Sequence, residues 1–167
     1  MQTHDLRWIK PIKNAVGTSI SLPGSKSVTN RALLLAALAH GESRLSGVLH
    51  SDDTIVLIQA LKDLGFAIEY DQARGECLVQ GNSGNIRRQT ASIWCGSAGT
   101  VSRFLLAIVA AGQGEFRFDA STQMQSRPIG PIVSALREQG AVIELSPKES
   151  LPLTLHSNGI AGGKIKL

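Results

Sequence analysis

Along the chain, short stretches with an apolar residue at every second position alternate with longer ones whose apolar residues recur every three or four positions. Glycines stand at most of the joints. Thr18-Ser-Ile-Ser-Leu22 alternates as a strand. The polar turn Pro23-Gly-Ser-Lys-Ser-Val-Thr-Asn-Arg31 follows, and the apolar run Ala32-Leu-Leu-Leu-Ala-Ala-Leu-Ala39 predicts a helix from near Ser27 to about His40, stopped by Gly41. Arg44-Leu-Ser-Gly-Val-Leu49 reads as a second strand. Ser51-Asp52-Asp53 is an N-cap signature for a second helix carrying Ile55, Leu57, Ile58, Leu61 and Leu64, closed by Gly65. Phe66-Ala-Ile-Glu-Tyr70 and Glu76-Cys-Leu-Val-Gln80 are two strands joined by a polar turn, which completes a βαβαββ unit.

The pattern then starts again. After the strand Ser92-Ile-Trp-Cys95, Gly96-Ser-Ala-Gly-Thr-Val-Ser-Arg103-Phe-Leu-Leu106 falls on Gly24-Ser-Lys-Ser-Val-Thr-Asn-Arg31-Ala-Leu-Leu34 at a constant offset. Gly114-Glu-Phe-Arg-Phe118 matches the second strand, and Pro128 to Gln139 is the second helix. Ala135-Leu-Arg-Glu-Gln-Gly-Ala-Val-Ile-Glu144 echoes Ala60-Leu-Lys-Asp-Leu-Gly-Phe-Ala-Ile-Glu69. Pro152-Leu-Thr-Leu-His156 supplies the last strand, and Gly162-Gly-Lys-Ile-Lys-Leu167 reads as the opening strand of a third unit. The expectation is an α/β (α+β) fold of repeated βαβαββ units, with repeat one over about 18–81, repeat two over about 91–156 and the start of a third at 162–167. With no linker-like stretch between the units, they are expected to pack within one partial domain over 1–167. Such units need neighbours to complete a shared core, so the pattern implies part of something larger and an uncovered apolar face open to self-association.

Composition narrows the function. Of 167 residues, 43% are hydrophobic, 18% charged and only 4% aromatic, with a net charge of +4. This suits a globular protein with an anionic partner, and the shortage of aromatics and of any basic run longer than Arg87-Arg88 argues against nucleic acid. Cys77 and Cys95 stand far apart, with no metal-ligand spacing, so reduced thiols and no metal are expected. No stretch has signal-peptide or membrane-span character, which points to a soluble cytoplasmic protein.

The candidate chemistry sits at the two Gly-containing turns. A helix that begins near Ser27 leaves its first-turn N–H groups facing outward at the positive end of the helix dipole. Lys26 stands at that mouth, and Arg31 lies one turn along on the same face as Ser27. Phosphate or carboxylate is the matching ligand class. The plainer reading is a capped helix with solvated basic residues. Arg127, in Met124-Gln-Ser-Arg-Pro-Ile-Gly130, is a further cation at a helix entrance. Together with Arg103 and the Gly99-Thr100 backbone, the repeat pattern collects cations and helix N-termini into a site suited to two anions or one polyanion. Asp52 and Asp53 read as helix caps. His40 and His156 read as surface residues, while His4 and His50 have no assignable partner.

Leu22-Pro-Gly-Ser-Lys-Ser-Val-Thr-Asn-Arg31 with its apolar run, Ser51-Asp-Asp53, Gly96-Ser-Ala-Gly-Thr100 and Arg127-Pro-Ile-Gly130 resemble, in order, the motifs of the N-terminal half of the 5-enolpyruvylshikimate-3-phosphate (EPSP) synthase family. The resemblance implies an enolpyruvyl transferase fold of the inside-out barrel type, two domains of three βαβαββ units each with the site in the cleft between them. It also implies a carboxyvinyltransferase of the shikimate pathway to aromatic amino acids, which moves the carboxyvinyl group of phosphoenolpyruvate onto shikimate 3-phosphate through a tetrahedral intermediate, with no metal or organic cofactor. By the same resemblance Lys26 is catalytic and contacts both substrates, and Ser27 and Arg31 hold shikimate 3-phosphate. Ser97, Gly99, Thr100 and Arg127 line the phosphoenolpyruvate site. Two positions depart from the family pattern: Ser97 stands for its usual Asn and Phe104 for its usual Pro. The family's Ser-Ser-Gln stretch, its proton-transfer groups and nearly all its second domain are missing from this stretch. The resemblance therefore makes the missing C-terminal portion a partner and this stretch alone catalytically incomplete. The related UDP-N-acetylglucosamine enolpyruvyl transferases, a non-catalytic anion-binding or interaction module, and an RNA-binding unit are the alternatives.

Overall fold

The computed structural model describes residues 22–165 continuously and, before them, positions 8, 10, 11, 17, 19 and 20. Its elements run α1 (Lys26–Leu38), β1 (Glu42–Ser46), α2 (Asp52–Asp63), β2 (Ala67–Asp71), β3 (Glu76–Gln80) and β4 (Thr90–Trp94). There follow α3 (Gly99–Ala110), β5 (Gln113–Asp119), α4 (Thr122–Gln125), α5 (Gly130–Glu138), β6 (Val142–Leu145) and β7 (Leu153–Asn158). The fold is α/β.

Two sheets form, ordered β1-β3-β2 and β4-β5-β7-β6. In both, the last strand of a hairpin inserts between its partner and an earlier strand, so β5-β7-β6 repeats β1-β3-β2. β4 pairs in parallel with β5, with α3 as the crossover. In the first unit, the strand expected over Thr18–Leu22 includes positions outside the described residues, and Ser19, Ile20 and Leu22 carry no strand. The strand expected at 162–167 is absent from Gly162–Ile165, and Lys166 and Leu167 lie outside the described residues. β1 ends earlier than its sequence pattern because Gly47, at φ +69°, breaks the extended backbone, and it starts earlier, with Glu42 already opposite Gln80 of β3.

The sequence echo between the units is also an echo of bonds. After α2, Gly65 N–H donates to Lys62 O and Phe66 N–H to Leu61 O. After α5, Gly140 N–H donates to Arg137 O and Ala141 N–H to Leu136 O. Both ends are the helix stop that a left-handed glycine allows. At the C-terminal end of α1, the amides of Gly81, Asn82, Ser83 and Gly84 donate to Gly41, Ala37, Ala39 and Leu38, so the segment joining the units satisfies carbonyls that the helix leaves open.

One buried cluster runs through both units: Leu33, Leu57, Leu61 and Leu64 from the first, Leu105, Leu106, Phe116, Phe118 and Leu155 from the second. α2 joins them, packing on α1, on β4 and on α3. Among the described residues no helix is long and apolar enough to cross a membrane.

Candidate functional site

The first turn is fixed from below. Gly24 approaches Gly47 O so closely that no β-carbon fits there, and Leu49 N–H donates to Thr29 Oγ1 at 3.1 Å. Ser25 caps α1, accepting from Val28 N–H at 3.5 Å. Lys26 and Ser27 open the helix, both exposed, and the first turn holds no acidic residue. Arg31 reaches back one turn, with Nε donating to Ser27 O and Nη2 to Ser27 Oγ, each at 3.0 Å. The expected grouping of Lys26, Ser27 and Arg31 is therefore present on one exposed edge.

The second turn is more open. α3 begins at Gly99 after Ala98, which offers no side-chain cap, and no acidic residue stands in its first turn. The amides of Gly99 and Thr100 are left without an intrahelical partner. Arg127, at the entrance of α5, reaches over them: a β-carbon on Gly99 would lie 3.6 Å from Arg127 Nη1. Ser97 is exposed beside them, its hydroxyl 2.8 Å from that of Ser121. Ser97, Gly99, Thr100 and Arg127 thus come together from two separate stretches of sequence.

Arg103 bridges two elements. Its Nη1 donates to Gly99 O at 2.8 Å and its Nη2 to Pro128 O at 2.9 Å, which ties the start of α3 to the start of α5. Arg31 and Arg103 occupy equivalent repeat positions and both bond the carbonyl one turn back, with Arg31 exposed and Arg103 half-buried.

Asp53 makes a contact at the α1 entrance that its reading as a helix cap did not anticipate. Ser51 is the N-cap of α2, and Asp53 Oδ2 lies 2.9 Å from Lys26 Nζ, a pair with Asp53 23% and Lys26 57% exposed. The carboxylate holds the ammonium at the mouth of α1. A signal existed in Ser51-Asp-Asp53, but dipole complementarity already explains acids in a first turn. His50, left without a partner in the sequence, stacks on Tyr70, with Nδ1 3.4 Å from its hydroxyl. His40 bonds Ser83 Oγ, and His156 lies between Glu115 and Glu144 at 3.6 Å from each.

The two turns are joined through α2. Asp53 holds Lys26 at one end, and three residues on Val56 packs under the second turn, 3.1 Å from where a Gly96 β-carbon would lie. Residues three apart on a helix are neighbours, about 5–6 Å between β-carbons. The cationic mouth of α1 and the Gly96 turn that leads into α3 therefore both touch the same stretch of α2, residues 53–56.

A family model described as EPSP synthase (3-phosphoshikimate 1-carboxyvinyltransferase) matches residues 10–167. The chain is 43% identical over 173 aligned positions to a 3-phosphoshikimate 1-carboxyvinyltransferase 2 of Halalkalibacterium halodurans, covering 98% of this chain and 37% of that protein. It is 41% identical to the 3-phosphoshikimate 1-carboxyvinyltransferase of a Sulfurovum species, covering 95% and 38% respectively. Among solved structures it is similar to the EPSP synthase of Acinetobacter baumannii, with a TM-score of 0.79 at 26% identity over 84% of this chain and 32% of that one. The enolpyruvyl transferase NikO of Streptomyces tendae shares the fold, with a TM-score of 0.53 at 19% identity over 80% of this chain and 28% of that one. The chain spans 37–38% of the length of these curated relatives. It belongs to the EPSP synthase family.

Proposed function

We propose that this chain carries part of the site at which the carboxyvinyl group of phosphoenolpyruvate passes to the hydroxyl of shikimate 3-phosphate. Lys26, Ser27 and Arg31 hold shikimate 3-phosphate. Ser97, the Gly99 and Thr100 amides and Arg127 hold phosphoenolpyruvate, and Lys26 reaches both. The observation that supports this reading is the pair of cationic helix entrances, each in contact with α2. Two polyanions and a phosphate leaving group require charge neutralisation on both sides of the reacting carbons, and helix amides with flanking Lys and Arg supply it. The setting is a soluble, cytoplasmic enzyme. Its remaining portion, the length this chain does not span, contributes the other wall of the cleft and the proton-transfer groups.

The same remaining portion is the natural cover for an apolar groove of about 310 Å³ between α1 and α3, lined by Leu34, Leu35, Leu38, Phe104 and Ile108. For this chain by itself, a second copy covers the same groove.

Amide resonances followed during titration test the substrate assignment. Shikimate 3-phosphate is expected to shift Lys26 and Ser27, and phosphoenolpyruvate to shift Gly99 and Thr100. Both should bind more weakly than micromolar, with Lys26→Ala and Arg127→Ala abolishing the respective responses and no phosphate released from the pair. Binding that perturbs neither turn would overturn the reading, and turnover by the chain alone would show that it holds a complete site.

A further inference from the structure

Where the parallel strands β4 and β5 end, two crossover segments are bonded to each other. Cys95 N–H donates to Asp119 O at 2.8 Å, and Ser121 N–H donates to Gly96 O at 2.9 Å. The hydroxyls of Ser97 and Ser121 then meet at 2.8 Å. Ser121 is also the N-cap of α4, with Oγ 3.3 Å from Met124 N–H, and Arg127 N–H donates to Met124 O at the end of that turn. Ser121 therefore touches the Gly96 turn on one side and the segment leading to Arg127 on the other.

A hydroxyl carries one proton and two lone pairs. A Ser121 hydroxyl that accepts from the Met124 amide keeps its proton and a second lone pair, so it can donate to Ser97 Oγ or accept from it, and an anion beside Ser97 selects the first arrangement. In that arrangement Ser97 accepts from Ser121 and its own proton is free for another acceptor, on an exposed residue two positions before Gly99. The opposite direction, with Ser97 donating to Ser121, would present only lone pairs to an anion and would repel it. A hydrogen bond received by one hydroxyl also strengthens the one it donates.

We infer that Ser121 is a positioning residue that sets the Ser97 hydroxyl as a donor to the anion held at the start of α3. The inference rests on the anion-site reading proposed above. Ser121 itself does not touch the anion and acts through Ser97.

The probe is inorganic phosphate, titrated into the chain while the Gly99 and Thr100 amides are followed. Ser97→Ala and Ser121→Ala should each weaken phosphate binding about three- to tenfold, the range of one net hydrogen bond. Ser121→Thr, which keeps the hydroxyl, should restore binding. Glycine is a tolerated N-cap, so Ser121→Gly removes the hydroxyl with the turn retained and should lose as much affinity as the alanine variant. In a Ser97→Ala background, Ser121→Ala should cost nothing further. If Ser121 merely held α4 in place, its loss would weaken binding equally with or without Ser97, and the inference would fall. Wild-type amides that ignore phosphate would sink both the anion site and this inference. A wild type that responds, with Ser121→Ala binding equally well, would remove the inference alone.

Discussion

At Gly99 the space for a side chain is already taken. A β-carbon there would lie 3.0 Å from Arg103 Nη1 and 3.6 Å from Arg127 Nη1. The 3.6 Å to Arg127 is ordinary contact, so the crowding falls on Arg103, whose bonds to Gly99 O and Pro128 O hold the start of α3 against the start of α5. Gly99→Ala is expected to weaken phosphate binding at the start of α3 by about tenfold, roughly 1.4 kcal/mol. Global stability should hold, since alanine is the better helix residue. Isothermal titration beside a urea melt separates the two effects. The Lys26–Asp53 pair is too exposed to matter much for folding, so Asp53→Asn should change stability by no more than about 1 kcal/mol. The thiols behave differently. Burial pushes Cys77 up to about 11 and Cys95 up to about 12, from an ordinary value of about 9, with the Asp119 carboxylate adding to the second shift. The folded chain therefore keeps protons that the unfolded chain releases, and thiol-linked stability is full below about pH 9 and drains away as pH rises toward 11–12. Urea midpoints should fall across that window and fall less in a Cys77→Ala/Cys95→Ala variant. Equal slopes would mean that the thiols are not the source.

At the scale of elements, the capping of α1 by Gly81–Gly84 makes the segment between the units structural. A β-carbon at Gly81 would collide with Ala39 O and lie 2.6 Å from Ala36 O, both backbone atoms that cannot swing aside. Gly81→Ala should cost about 1–3 kcal/mol, as overpacking does, with amide protection lost first at Asn82 to Gly84. Nothing local in Gly81-Asn-Ser-Gly-Asn85 announces that role, because its partners lie some forty residues earlier. The elements themselves were legible where a period or a stop is written locally: α2 between Ser51 and Gly65, β3 over Glu76–Gln80, and the echo of Leu61-Lys-Asp-Leu-Gly65 in Leu136-Arg-Glu-Gln-Gly140. α4 was not, since four residues are too few to show a period. The site divides the same way. Lys26, Ser27 and Arg31 lie within one turn of helix and could be grouped from spacing. Asp53 on Lys26, Ser121 on Ser97 and Arg103 on Pro128 O are contacts between elements, which only the packing of α2 and of the β5–α4 crossover creates.

For the whole molecule, the groove between α1 and α3 is the surface on which the expected state in solution rests. Leu35 is 69% exposed, yet it stands beside Leu34 and Leu38 on one wall, facing Phe104 and Ile108 on the other. Only Arg31, at the site end, interrupts the apolar lining. Neither helix is frayed or irregular there: α1 is capped at both ends, and α3 buries Leu105, Leu106 and Val109 on its opposite face. Of this lining Leu35 is exposed, Leu38 and Phe104 are half-buried and Leu34 is buried, so Leu35 is the side chain that a partner would cover most. The chain is expected to self-associate with rising concentration in sedimentation velocity. Leu35→Glu, which puts a charge at the most exposed point of the groove, should shift it to monomer with its helix content unchanged. Because Lys26 and Arg127 lie at the helix entrances, the monomeric variant should bind phosphate at Gly99 and Thr100 as the parent chain does. A wild type that stays monomeric at every concentration, or a Leu35→Glu variant that associates as strongly, would show that this groove is not the contact surface.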